Sequence, residues 1–426
     1  MILKKHKKTA LFLACLSIVF LVWSKICYTE RKSYLKNETY IKHLKKDLLI
    51  KKLSSPLPNW MKEQIDEDFL PFKTAGITQK KINATLAKIR EKHSSPMIVR
   101  YRIMNNRLYR YFFEGEPISL TDNSTELALK TLLESIGLPD MDFILSFFDG
   151  ITLDDHYLEV SEHLQAPVFF SAKVMNTPHV ILIPDWRSIG LWWISDIKHV
   201  QSRINAFPWE KKKEFAIWRG SLTKSIRRKL CQLSKLFPDH LDAKFNFENN
   251  PQIKKELEQE GLFGNRVSWE EFLECKYLPV MDGVVCAAPA FQWRLLSQSV
   301  IFKPDSKEIQ WFYRDLQPYI HYIPIKSDLS DLIEKLDWAK KHDAECKQIA
   351  DRAYQFAKES LMYEDVLLYF TQVLMRYAKL QAIDASQIAK EIRENPRWVC
   401  IQYREKLKKE AQKQHMKGYF PQATPF

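Results

Sequence analysis

Glycine is scarce in this sequence, at 10 residues in 426. That excludes collagen-like and flexible low-complexity chains and counts against a propeller. No GxGxxG and no GxxxxGK[ST] occurs, so neither a dinucleotide fingerprint nor a triphosphate-binding loop is present. No HExxH and no GxSxG occurs, which leaves metalloprotease and hydrolase chemistry without a motif. The seven cysteines (Cys15, Cys27, Cys231, Cys275, Cys286, Cys346, Cys400) contain no CxxC. A zinc cluster is therefore not expected, and a scattered, odd number is not a disulfide framework. Long apolar runs are rare. The one notable stretch, Thr9–Trp23, is 15 residues, short beside the ~20 of a spanning helix.

A basic stripe on the body of the chain is also missing. The net charge of +13 sits at the two ends. Residues 1–52 hold 13 Lys/Arg against 3 Asp/Glu, and residues 386–426 hold 9 against 4. The intervening 53–385 carries 43 basic and 45 acidic residues, so nucleic acid is not expected as a partner. Four lysines precede the Thr9–Trp23 run, which ends in Val22 and Trp23 rather than in a small-x-small cleavage site. This pattern fits an uncleaved signal anchor, and a basic stem beside a membrane explains the N-terminal charge.

What is present is ample core material, with 46% hydrophobic and 13% aromatic residues. The length suggests two domains of ~150–200 residues. Short apolar strands alternate with helices along the chain. "MIVRYRIMNNRLYRYFF" reads as strands around a turn at Asn105-Asn106. Residues 126–136 read as a helix ended by Gly137-Leu138-Pro139. "DFILSFFDG", "PVFFSA", "HVILIPD", "EFAIW", "SVIFKP" and "YIHYIPI" read as further strands. Helices are expected over 224–236, within "FQWRLLSQ", from Asp328 onward, and over 344–361 and 364–380. This order predicts α/β architecture with largely parallel sheets. The expected segments are an anchor (1–25), a basic stem and linker (26–58), two α/β domains (59–205 and 206–385) facing a cleft, and a basic helical tail (386–426).

Three motifs bear on chemistry. In "KKKEFAIWRGSLTKSIRRKL" a strand gives way to a helix at Arg219-Gly220-Ser221. Ligands of open α/β sheets bind outside such strand ends, and a helix N-terminus there suits an anion. Arg227 and Arg228 lie one to two turns further on. The plain alternative is an ordinary turn with solvated arginines. Asp149, directly after "FILSFF", stands at the mouth of a sheet, where apolar surroundings would raise its pKa and suit a general base. The plain alternative is a turn aspartate. Asp140-Met141-Asp142 has the DxD form that can hold a metal through two carboxylates, but it sits where a helix exits, and no metal site is expected. Asp154-Asp155-His156 has nothing to complete a site.

The stretches "PWEKKKEFAIWRGSLT" (208–223), "WFYRDLQPYIHYIPIKSDLSDLIEKLDWAKKHDAECKQIADRAYQFAKESL" (311–361) and "EDVLLYFTQVLMRYAKLQ" (364–381) resemble the family-90 glycosyltransferases. That group includes capsule-associated transferases, lipopolysaccharide-type homologues and KDEL-containing protein O-glucosyltransferases. "NNRLYR" and "GLPDMDFILSFFDG" resemble its acceptor-side blocks, so the match runs over roughly residues 95–381. The resemblance implies a GT-B-like fold, two Rossmann-like domains around a cleft, and inverting, metal-independent transfer from a UDP-sugar to a glycan, lipopolysaccharide or protein hydroxyl. It implies Asp149 as the base, with Arg107 and Arg110 on the acceptor side. On the donor side it implies Ser221 and Arg227, with Arg219, Gly220 and Tyr277 beside them. One departure stands out. The family's aromatic-Arg-Phe-Lys element falls on "APAFQWRLLSQS", which puts Ala290 at the arginine, Gln292 at the lysine and Gln298 at a glycine. Arg294, one turn along, is the candidate replacement; the alternative is a non-catalytic sugar- or nucleotide-binding relative. With "QATPF" at the end instead of a KDEL-type signal, the expectation is a single-pass bacterial inner-membrane protein, or an ER/Golgi one if eukaryotic.

Overall fold

The computed structural model describes residues 46–92, 97–117, 119, 122–150, 163–287 and 289–404. The expected anchor, most of the stem, Asp154-Asp155-His156 and the end of the tail lie outside these residues. Among the described residues no helix is long and apolar enough to cross a membrane. Contacts divide the chain into two units, residues 1–49 and 50–426, and the fold below is that of the second.

Two sheets carry the architecture. The first is six-stranded and mixed. It contains β1 (Ile98–Met104), β2 (Arg107–Tyr111), β3 (Met141–Ser146), β4 (Val168–Phe170), β6 (Val180–Leu182) and β13 (Trp398–Cys400), in the order β13-β2-β1-β3-β4-β6. β1 and β2 form the expected hairpin: Asn105 and Asn106 take φ of 51° and 59°, the pair of left-handed residues that a tight two-residue turn requires. The helix α1 (Ser124–Ser135) starts with a capping box between Asn123 and Glu126, and left-handed Gly137 follows its end. β3, β4 and β6 then run parallel, so their carboxyl ends share one edge.

The second sheet is five-stranded and wholly parallel. Its strands are β7 (Lys213–Ser221), β8 (Leu241–Phe247), β9 (Cys275–Pro279), β10 (Val300–Pro304) and β12 (Ile323–Ile325), in the order β12-β10-β9-β7-β8. The chain goes from β7 to β8 on one side and then crosses to β9 on the other. The point where the order reverses lies between β7 and β9. Trp218, Leu230, Phe245, Tyr277 and Phe302 belong to the core on this sheet. A two-stranded antiparallel ribbon, β5 (Ala172–Val174) with β11 (Glu308–Gln310), ties the first sheet's loops to the second's.

Several helices complete the fold. Among them are α2 (Leu191–Gln201), α3 (Ser225–Leu236), α4 (Ala290–Leu295), α5 (Asp343–Ser360) and α6 (Tyr363–Leu380). The helix expected from Asp328 begins at Leu332 with Asp331 as its cap, because Leu329 is left-handed and Asp328 accepts from the Ser330 N–H instead. The C-terminal segment departs further from expectation. After a helix over Ala385–Glu394, residues 398–400 join the first sheet as an edge strand against β2.

Candidate active site

The carboxyl edge of the parallel strands in the first sheet carries acids. β3 leads to Asp149, β4 to Ser171 and β6 to Asp185. Ser171 Oγ donates to the Asp149 backbone carbonyl at 2.9 Å. Gly150 (φ 145°) packs so tightly that a Cβ would lie 2.6 Å from the Ala172 carbonyl oxygen. Only glycine fits there, and it pins the Asp149 turn onto the start of the ribbon. Asp149 is solvent-accessible as a residue, yet desolvation of its carboxyl, and next the charge of Asp185, raise its pKa above the usual value. Asp185 is itself buried. Its Oδ1 accepts the N–H groups of Arg187 (3.0 Å) and Ser188 (3.2 Å), and its Oδ2 accepts the Ser188 hydroxyl.

The carboxyl edge of the second sheet carries cations. Arg227, on the first turn of α3, spans the reversal point. Its Nη1 donates to the Ser221 carbonyl at the end of β7 (3.2 Å). Its Nε and Nη2 donate to the Asp282 (2.7 Å) and Met281 (2.9 Å) carbonyls just past β9. Burial pushes this guanidinium down to about 10, although the charge of Asp282 favours it. Asp282 makes no ion pair with it. Arg294 on α4 is 3% exposed. Its Nη1 donates to the Ala290 carbonyl (3.0 Å), its Nε has no partner among the described residues, and its guanidinium lies 4.4 Å from the Trp293 ring centroid. Burial, and then the charge of Arg227, push it down to about 9. Among the described residues neither arginine is paired with a carboxylate. A buried cation and a half-buried one beside it, neither in an ion pair, favour an anion that would join them. Reversal points in open parallel sheets are where such ligands bind.

The two edges are connected by contact. Gln292, on the same short helix as Arg294, has its Oε1 2.6 Å from Ser188 Oγ, the hydroxyl that donates to it and that also faces Asp185 Oδ2. Along the ribbon, Ala172 pairs with Gln310, and Glu308 takes the ammonium of Lys224, which directly precedes α3.

The remaining expected residues divide. Ser221 ends β7 beside Arg227, and its hydroxyl makes no hydrogen bond among the described residues. Gly220 is required by its own strand: a Cβ would lie 2.5 Å from the Trp218 indole. Arg219 is not available to a ligand. Its donors go to Asp242 (Oδ2 2.6 Å, carbonyl 3.0 Å) and to the carbonyls of Trp218 and Asn265. Arg228 pairs outward with Glu260. Tyr277 is fully buried in the core with its ring against Phe302, rather than in the crevice. On the first sheet Arg110 is taken up by Glu116 (2.6 Å) and Glu126 (3.5 Å). Arg107 pairs with Met104 at the end of the hairpin, next to where β3 begins, while Asp149 follows the other end of β3. The fold does not bring Arg107 to Asp149.

Of the DxD pair, Asp142 is wholly buried and occupied by Arg100, Arg102 and Gln79, and Asp140 accepts the Asn105 N–H. Among the described residues no cluster of three metal-ligating side chains occurs. Gln298 has φ 50°, which accounts for a glycine at that position in the resembling sequences. Sequence reasoning missed Asp185 and Ser188, though Asp185 follows "HVILIP" just as Asp149 follows "FILSFF".

The family model for glycosyl transferase family 90 matches residues 57–424. Protein O-glucosyltransferase 2 of Danio rerio is 32% identical over 326 residues, 75% of this chain and 62% of that protein. Protein O-glucosyltransferase 3 of Homo sapiens is 32% identical over 343 residues, again 75% and 62%. Protein O-glucosyltransferase 1 of Homo sapiens is 28% identical over 341 residues, 76% and 81%. The chain thus spans 62% of the length of the first two. Among solved structures, Anabaena Alr3699/HepE in complex with UDP-glucose is similar at a TM-score of 0.35 and 11% identity over 52% of this chain and 66% of that one. That likeness is too slight to bear on ligand.

Proposed function

The chain belongs to glycosyl transferase family 90, and on that premise we propose that it transfers glucose from UDP-glucose to a protein hydroxyl, with inversion, in a GT-B-like arrangement of the two sheets. The names of its relatives suggest the sugar and the acceptor. The observation that carries the reading is Arg227 and Arg294, neither in an ion pair among the described residues, beside the reversal point of a parallel sheet.

In this reading Asp149 removes the acceptor proton. The oxygen attacks the anomeric carbon from the face opposite the diphosphate, and the glycosidic bond to phosphate breaks. The leaving diphosphate gains charge, which Arg227, Arg294, the Ser221 hydroxyl and the first-turn amides of α3 meet. Those donors are already oriented, so they reorganise little as charge develops. A raised pKa suits a base working near neutral pH. Gln292, at the expected lysine position, is turned to Ser188, and Arg294 supplies the cation instead. The anchor (1–25) and the basic stem and linker (26–58) are proposed to hold the enzyme at a membrane.

The test is UDP-glucose turnover with a protein acceptor panel, together with calorimetric titration of UDP. Saturable UDP binding and glucose transfer support the proposal. UDP binding without transfer or hydrolysis would favour the non-catalytic reading, and no UDP binding would end both.

A further inference from the structure

Gln310, the last residue of β11, is 1% exposed, and both polar atoms of its side chain, Nε2 and Oε1, have no hydrogen-bond partner among the described residues. No other side chain among them has two buried polar atoms in that condition. A buried amide is costly unless something pairs with it, so an orphaned one asks for an explanation. An amide carries no charge. It can neither neutralise a diphosphate nor take a proton from an acceptor at neutral pH. It offers two N–H donors and one acceptor oxygen, the complement of a hydroxyl group.

The register of the ribbon places this amide. Gln310 stands opposite Ala172, and directly opposed residues of an antiparallel pair share a face with their Cβ atoms about 5 Å apart. A Cβ on Gly150 would lie 2.7 Å from the Ala172 Cβ, so the Asp149-Gly150 turn lies against that face. Ala172 also packs with Val285 and Cys286. Glu308, two residues back and on the same face, takes the Lys224 ammonium at 2.5 Å, and Lys224 also donates to the Val285 carbonyl at 3.3 Å. The alternate residue Lys173 turns the other way, to Asp68. The loop that runs through Val285 is the one whose start Arg227 holds by the Met281 and Asp282 carbonyls. Gln310 thus stands where the turn carrying Asp149 meets the loop held by Arg227.

We propose that the Gln310 amide hydrogen-bonds a hydroxyl of the transferred sugar and so sets which donor sugar is accepted. This rests on the reading of Asp149 as the base and of Arg227 as a cation for the diphosphate. In that reading the anomeric carbon lies between the two, which puts the sugar ring against this face of the ribbon. The cover over the face on the donor side is a loop, residues 282–286, with Val284 exposed at its middle, and the sugar reaches the amide by displacing it. A sugar lacking the matching hydroxyl leaves the buried amide unpaired, and that loss is the source of selection.

The test is calorimetric titration of the full chain with UDP, with UDP-glucose and with the 2-, 3-, 4- and 6-deoxy analogues of UDP-glucose. Wild type should bind at least one analogue on the order of 10–100-fold more weakly than UDP-glucose. In Gln310→Met, which keeps most of the volume and removes the amide, that one penalty shrinks to near unity. The penalties of the other analogues and the Kd of UDP itself stay as in wild type. A merely structural role would not erase the penalty of one hydroxyl alone. Gln310→Leu gives the same readout if Gln310→Met does not fold. Penalties that are all unchanged in the variant, or no penalty in wild type, overturn the inference, and so does an equal weakening of UDP and every UDP-sugar. A wild-type chain that binds no UDP would instead overturn the proposed function, so the two failures are distinguishable.

Discussion

Replacing Arg294 by methionine separates a binding role from a structural one. The guanidinium is nearly inaccessible and held near 9 rather than 12.5. At ~1.4 kcal/mol per unit, its charge costs the unliganded fold up to roughly 5 kcal/mol. Against that stand one hydrogen bond to the Ala290 carbonyl and the faces of Trp293 and Phe272, together about 2–4 kcal/mol. Methionine keeps much of the volume and removes the uncompensated charge. Arg294→Met is therefore expected to leave the free protein as stable as wild type, or up to ~3 kcal/mol more stable. The diphosphate loses a cation, and UDP should bind at least ~10-fold more weakly, about 1.4 kcal/mol. Urea unfolding with and without UDP measures both effects. At a UDP concentration of 100 Kd for wild type, ligand adds about 2.7 kcal/mol; in the variant the same concentration should add about 1.4 kcal/mol. A variant that loses several kcal/mol without ligand but keeps the full UDP increment would refute the reasoning.

Further expectations follow from the same geometry. Asp149→Asn should lower kcat by ~10²–10⁴-fold with UDP affinity intact, measured by turnover and calorimetry. Asp196 is buried, and burial raises its pKa to about 6 despite Arg187. Because the folded value lies above the unfolded 3.8, the stability it contributes is fully present below about pH 4 and is lost as pH rises through 6. Asp196→Asn should remove that slope and gain roughly 3 kcal/mol at pH 7.5 in urea unfolding. Gly150→Ala places a methyl 2.6 Å from a carbonyl oxygen at a φ of 145° and should cost ~2–4 kcal/mol, with kcat falling more than UDP affinity. Asp142→Ala strands Arg100, leaves Arg102 with Glu391 alone and should cost ~3–5 kcal/mol, seen as a lower urea midpoint.

The sequence was most legible where period and punctuation agree. The Asn-Asn hairpin, the capped helix after Asn123 and the long helices near the C-terminus stand within a few residues of expectation, because each is set by local chemistry. The strand Leu241–Phe247 was overlooked although "LDAKFNF" alternates, and its burial does too. The ribbon and the edge strand at 398–400 were illegible for another reason. Three-residue strands have no period, and only their distant partners define them. At the candidate site, strand-end logic put Asp149 beyond one strand, Ser221 at the end of another and Arg227 on the helix that follows, and the structure has them there. It could not tell which arginines would be spent on their own fold. Arg219 has Asp242 on the neighbouring strand, and Arg110 has Glu116 and Glu126, pairings that sequence spacing does not reveal. Nor could it foresee that Gln292 would face Ser188 rather than a ligand.

The most direct measurement is a crystal structure of the chain with UDP-glucose bound. The diphosphate should lie outside the carboxyl ends of β7 and β9, with its oxygens within hydrogen-bond reach of Arg227, Arg294 and the Ser221 hydroxyl, and with the glucose turned toward Asp149. A diphosphate bound elsewhere, with both arginines still unpaired, would contradict the account.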